Sequence, residues 1–218
     1  MRLLLFVLLL ATIPTSVTAK MIAAGHALPT PFRTCQDIGP GAIFFRQNVT
    51  IHWKDISLTD AIRELQSSRG LPVSFIEMKS DKKIDLELTA IDVGTLLQTL
   101  AERFPGYRCA VVRGHVIIFP DWPELYSVEK VADVKDMFRG RAAREYLEAV
   151  GRRIGPLSQV GAFLGGNLES PTFAEKVSLD TEATVIEHLA EILGSNSNVF
   201  FVIERTPAGA SVYSLGSN

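Results

Sequence analysis

Few side chains in this sequence are suited to chemistry, and their spacing matches no complete catalytic or metal-binding motif. The four histidines are His26, His52, His115 and His188. None has a second ligand residue at the i+2 or i+4 position, so local structural roles are predicted for them. Ser127 and Lys130 match Ser-x-x-Lys, in which the lysine deprotonates a nucleophilic serine, but the companion Ser-Asp-Asn and Lys-Thr-Gly motifs are absent. The sequence therefore predicts no catalytic, cofactor-binding or metal-ligating residue.

Composition limits the classes of protein that this chain can belong to. It has 218 residues, of which 47% are hydrophobic and 21% charged, with a formal net charge of −2. This composition excludes a disordered or collagen-like chain and predicts one or two compact domains. Without a global excess of basic residues, nucleic acid is not an expected partner.

The N-terminus has the pattern of an export signal. Arg2 precedes an unbroken apolar run over residues 3–11, and Val17, Thr18 and Ala19 occupy the positions that a signal peptidase reads. A membrane span needs roughly 20 apolar residues, about twice the length of this run. We therefore expect residues 1–19 to be a signal peptide, with cleavage after Ala19 and a mature chain that does not span a membrane.

Export changes the interpretation of the two cysteines. Outside the cytoplasm, Cys35 and Cys109 can oxidise to a disulfide, which would clamp an extended N-terminal arm over residues 20–47 to the domain that follows. The alternative is a reactive thiol pair, but neither a Cys-x-x-Cys motif nor a flanking histidine accompanies it.

Hydrophobic periodicity predicts an α+β protein. Strand patterns at 49–53, 73–76 and 83–88 and helical patterns at 58–65 and 93–104 precede a β-hairpin at 107–119. The predicted order is β-α-β-β-α-β-β, in a domain over residues 48–121.

A second, smaller α+β domain is predicted over residues 122–218. A helical pattern over 141–154 is followed by a strand at 177–179, a helix that ends near 193 and a terminal hairpin. The order of strand, helix and hairpin recurs from the first domain. Two explanations stay open at this point: a degenerate duplicate of the first domain, or an unrelated unit built from common supersecondary structure.

Two segments of the first domain resemble a known family. Residues 56–65 follow a polar-x-Leu-x-x-Ala helix pattern, and residues 114–120 read G-x-V-I-I-x-P. Over residues 49–121 the chain resembles the secretin and TonB short N-terminal domain family. The resemblance implies a periplasmic protein of a bacterial envelope, with components of secretin or TonB-dependent systems as partners. In the family this domain precedes an outer-membrane secretin pore or a TonB-dependent receptor, but only 97 residues (122–218) follow here. A free-standing adaptor, or a component that binds such machinery, is therefore expected.

Two features are candidates for partner contact. A basic stretch includes Arg139, Arg141, Arg144, Arg152 and Arg153 and suits an acidic partner or lipid headgroup, with a solvated helix face as the alternative. The second candidate is the edge of the hairpin strand that carries Val116 and Ile118, which could accept a partner strand unless it is already paired or covered.

The predicted function is therefore that of an exported, non-enzymatic protein–protein interaction module, periplasmic or, alternatively, secreted. Two other functions stay open. One is the binding of a small ligand or lipid in a cleft between the two halves, and the other is an envelope hydrolase that uses Ser127 and Lys130.

Overall fold

The structure is a computed structural model that describes residues 32–38, 43–78, 80–131, 133–151, 173–194, 199–205 and 211–217. The predicted signal peptide, the arm up to residue 31, His26, Arg152 and Arg153 lie outside these ranges. None of the helices described is both long enough and apolar enough to cross a membrane.

Four helices and twelve strands are found within these ranges, together with three short 3-10 turns. The helices are α1 (Leu58–Arg69), α2 (Val93–Arg103), α3 (Arg139–Gly151) and α4 (Val185–Leu193). The strands are β1 (Arg33–Thr34), β2 (Asn48–Ser57), β3 (Val73–Met78), β4 (Lys83–Asp92), β5 (Tyr107–Val112), β6 (His115–Pro120), β7 (Val128–Lys130), β8 (Val134–Phe138), β9 (Lys176–Leu179), β10 (Glu182–Thr184), β11 (Val199–Arg205) and β12 (Ser211–Ser217). The 3-10 turns are Cys35–Asp37, Ile43–Arg46 and Pro123–Tyr126. These elements confirm the predicted α+β class.

A mixed six-stranded sheet forms the centre of the molecule, in the order β1-β5-β6-β3-β11-β12. Strand β3 runs parallel to both of its neighbours, β6 and β11, and the other pairs are antiparallel. The boundary predicted between residues 121 and 122 does not separate two sheets, because Phe201 of β11 pairs with Ile76 of β3. Both halves of the chain thus build one sheet.

Both faces of this sheet are covered. Along β6, Val116 and Ile118 belong to one buried cluster, whereas Ile117 and Phe119 belong to another, as the two-residue period of a strand requires. Helices α1 and α2 contribute to the first cluster, and α3 and α4 contribute to the second. Helices α1 and α2 also pack against a separate antiparallel pair, β2 with β4. Helices α3 and α4 pack against two such pairs, β8 with β9 and β7 with β10.

The flanking strands of the two halves share the same irregularity. Asp55 in β2 and Asp136 in β8 both have a φ of 51°, in the left-handed region, at a register shift. The Lys83 amine donates to the Asp55 carboxylate at 3.0 Å, and the Lys176 amine donates to the Asp136 carboxylate at 2.7 Å. The same bulge is thus closed by the same ion pair in each half.

The helices that follow also begin in the same way. Val93 N–H, at the start of α2, donates to Gln47 O at 3.2 Å, and Val185 N–H, at the start of α4, donates to Ser127 O at 3.0 Å. A 3-10 turn comes before β2 in the first half and before β7 in the second, and each half ends in a hairpin, β5–β6 and β11–β12. We call residues 43–120 the first unit and residues 123–217 the second unit. Among the described residues, the second unit shares these local features with the first, which favours a duplicate without excluding an unrelated unit.

Candidate functional site

The predicted disulfide is present between Cys35 and Cys109, with a Cα–Cα distance of 5.5 Å. It joins the 3-10 turn after β1 to β5, and Thr34 pairs with Ala110 across the same edge. An ideal Cβ on Gly94 would lie 2.7 Å from Cys35 O, so the turn approaches α2 as closely as it does because this residue is glycine. The arm therefore covers the β5 edge of the central sheet.

The hairpin edge predicted for partner contact is not available. Strand β6 lies between β5 and β3, and its Val116 and Ile118 side chains are 4% and 0% exposed. The prediction was wrong because the parallel pairing of β3 with β6 joins strands about 40 residues apart in the chain, beyond the reach of local patterns.

The arginines of the predicted basic surface lie in different environments, some exposed and one buried. Arg141 and Arg144 are exposed on α3, and Arg141 pairs with Glu145 at 3.0 Å. Arg139 is instead 1% exposed and forms an ion pair with Glu175. Its assignment to a contact surface is corrected, because the first residue of α3 points into the protein.

Ser127 and Lys130 each have partners other than one another. Ser127 Oγ donates to Glu124 O at 2.7 Å, and the Lys130 amine lies 3.5 Å from the Glu182 carboxylate. Across the ranges that the structure covers, no group of three or more His, Cys, Asp or Glu side chains could hold a metal ion.

The cleft predicted between the halves is filled with side chains. Ile117 and Phe119 of the first unit share a buried cluster with Leu189 and Ile192 of the second, and all four are 0% exposed. An open groove of about 410 Å³ lies instead on the first unit alone. Its lining residues are His52, Trp53, Lys54, Asp85, Leu86 and Glu87.

An exposed apolar pair, which the sequence analysis missed, precedes β2. In the 3-10 turn Ile43–Arg46, the side chains of Ile43 and Phe44 are 72% and 53% exposed, whereas Phe45 is buried. We call Ile43 and Phe44 the apolar pair. The sequence indicates this exposure through Ile-Phe-Phe, three large hydrophobic residues in a turn that is too short to bury them all. The segment had been assigned to the extended arm instead.

Arg113 links the two units. Its guanidinium, in the turn between β5 and β6, lies 2.7 Å from the Asp180 carboxylate and 3.0 Å from that of Glu187. Glu187 also completes the capping box of α4 with Thr184. Burial raises the pKa of the Glu187 carboxyl, but hydrogen bonds from Thr184 and the charge of Arg113 outweigh it, so the pKa lies below its ordinary value.

Two histidines lie on the same side of the sheet as Arg113. His115 Nε2, on β6, is 3.9 Å from a carboxylate oxygen of Glu191 on α4. His188, on α4, is 1% exposed, and its Nε2 is 2.9 Å from Asp180 O. We call the contacts that join α4 to β5 and β6 the junction.

Comparison of the chain with family models, with curated proteins and with solved structures found no match. The resemblance of residues 49–121 to the secretin and TonB short domain therefore stays a prediction.

Proposed function

We propose that this chain is an exported protein of a bacterial envelope that acts by binding other envelope proteins rather than by catalysis. The observation that carries the proposal is the apolar pair, since Ile43 and Phe44 lie side by side in solvent. Apolar and aromatic side chains that a monomer leaves exposed together are typical anchors of protein interfaces.

The geometry of the turn favours this role. Phe45 is 6% exposed and belongs to the first unit's core, so it holds the turn in place while its two neighbours point outward. A fixed anchor loses less conformational freedom on binding than a mobile one, and burial of an aromatic side chain contributes about 2 kcal/mol.

The compartment and the partner class rest on other grounds. A disulfide is typical of proteins that fold outside the cytoplasm. The resemblance of residues 49–121 favours the periplasm, with components of secretin or TonB-dependent systems as partners; secretion from the cell is the alternative.

In-cell crosslinking tests the proposal. The tagged chain is compared with a variant in which Ile43 and Phe44 are both replaced by serine, and captured proteins are identified by mass spectrometry. We expect the unsubstituted chain to capture envelope proteins and the variant to lose at least about nine-tenths of them, as removal of an interface anchor worth 1.4 kcal/mol or more would cause.

The second unit offers a matched control. Val128 and Phe138 are also exposed apolar side chains, at 58% and 55%, and their replacement by serine should leave capture unchanged. Equal loss in both variants, or no specific capture by the unsubstituted chain, would contradict the proposal. Co-purification of a lipid or small molecule without a protein partner would favour ligand binding instead.

A further inference from the structure

A histidine in the second unit occupies the place of a leucine in the first. Leu96 is the fourth residue of α2 and His188 is the fourth residue of α4, and they are 0% and 1% exposed. A leucine side chain is uncharged at every pH, whereas a buried histidine can take up a proton in mildly acidic conditions. The two units therefore differ in how their cores respond to acid.

The surroundings of His188 suit a neutral imidazole. With its proton on Nε2, the ring donates to Asp180 O at 2.9 Å, and it packs on Tyr146 with 5.1 Å between the ring centroids. The other nitrogen, Nδ1, is buried and has no hydrogen-bond partner among the residues described. Burial lowers the pKa of His188, and Arg113 adds to this, whereas the Asp180 carbonyl and the charges of Glu187 and Asp180 oppose it.

His115 faces α4 from the sheet. Glu191 lies opposite it on α4, and the charges of Arg139 and Glu175 also act on it. Burial lowers the pKa of His115; Glu191 and Glu175 oppose this, and Arg139 adds to it. A proton on His115 therefore enters a site that already contains a buried guanidinium.

We infer that acidification loosens the packing of α4, because α4 packs on β6 and on α3 most tightly when His115 and His188 are both neutral. The direction of this pH effect follows from proton linkage. Both groups bind a proton less readily when α4 is docked than when it is released, so protons favour release. The stabilisation is complete above the ordinary histidine pKa of about 6.5 and decreases as the pH falls below it. The pKa of Glu187 lies below its ordinary value, so its carboxylate is ionised throughout this range and its ion pair with Arg113 does not account for the change.

Hydrogen exchange of the full chain tests the inference. Amide exchange in α4 and in α2 is measured by mass spectrometry at about pH 7.5 and about pH 5, and each rate is divided by the intrinsic rate at that pH. Helix α2 is the internal reference, since it starts in the same way but has Leu96 at the fourth position. We expect the corrected exchange of α4 relative to α2 to increase by about tenfold at the lower pH.

Glutamine variants show whether the histidines are responsible. His115→Gln alone should reduce the acid-dependent increase, and His115→Gln with His188→Gln should abolish it. His52→Gln is the matched control, because this histidine is exposed and pairs with Glu87 outside the junction. Equal acceleration of exchange in α2 and α4, or an acid-dependent increase of undiminished size in both His115 variants, would overturn the inference. If the double variant does not fold, the single variant alone provides the test.

Discussion

The two units have the same backbone framework but differ in the side chains at equivalent positions. Asp55 and Asp136 form the same bulge, yet the helix that follows begins with Leu58 in the first unit and with Arg139 in the second. Both of these side chains are buried, at 4% and 1% exposure. The same backbone arrangement thus accommodates a buried apolar residue in one unit and a buried charged residue in the other.

Polar side chains of the second unit that replace apolar side chains of the first lie close to the contact between the two units. An ideal Cβ on Gly194 would lie 2.8 Å from Nη2 of Arg139, and Gly194 O accepts a hydrogen bond from Ser74 of the first unit. The disulfide ties the first unit to the N-terminal arm, whereas the second unit buries the guanidinium of Arg139 and the imidazole of His188. This difference predicts that the first unit sets most of the stability and that the second responds more to its surroundings.

The disulfide should give the largest difference between the units, because only the first has one. Replacement of Cys35 and Cys109 by alanine should lower the free energy of unfolding by about 4 kcal/mol, the entropy that a crosslink across 74 residues removes from the unfolded chain. Urea denaturation measures it, and the unsubstituted chain in a reducing agent should show the same loss. A loss below about 1 kcal/mol would show that the first unit is stable without its arm.

A reciprocal exchange at the start of α1 and α3 should have the next largest effect. Leu58→Arg should lower the free energy of unfolding by about 3 kcal/mol, since the residue equivalent to Glu175 is Lys82 and no carboxylate is supplied. Arg139→Leu should change it by less than about 1 kcal/mol, because its partner Glu175 is 62% exposed and its carboxylate stays in water when the guanidinium is removed. Thermal unfolding of both variants measures the asymmetry, and equal losses would contradict it.

The bulges should give the smallest effect, and the same effect in both units. Asp55→Ala and Asp136→Ala should each lower the free energy of unfolding by about 1 kcal/mol, because alanine is strained at a φ of 51°. The matched Asp→Gly variants should fall within about 0.5 kcal/mol of the unsubstituted chain, since glycine adopts this conformation freely. Opposite signs in the two units, in chemical denaturation, would show that the bulges are not equivalent.

Local patterns in the sequence predicted the helices well. The apolar spacing of α1, α2 and α4 is a short-range feature of the sequence, and so are the N-caps Ser57 and Asp92, whose side chains accept from the backbone of the first helical turn. The strands were predicted too short, because β2 and β4 continue past residues with positive φ at Asp55 and Ala90, which alternation does not reveal.

Contacts between residues far apart in the sequence explain the features that local patterns did not predict. The pairing of β3 with β11 joins residues 125 positions apart, Ile76 with Phe201, and no local pattern indicates it. The burial of Arg139 depends on Glu175 and on the packing of α3, so its position in a basic run suggested a solvated face instead. The disulfide could be predicted because the chain has only two cysteines and its N-terminal pattern predicts export.

The parallel pairing of β3 also sets an order of assembly. A chain made from its N-terminus can close the disulfide and complete the first unit once Cys109 has emerged, long before Phe201 does. Until β11 arrives, the outer edge of β3 is an unpaired strand on a sheet that is otherwise formed. During synthesis, the incomplete chain therefore passes through a stage in which its own later strand competes with any other extended chain for the same edge.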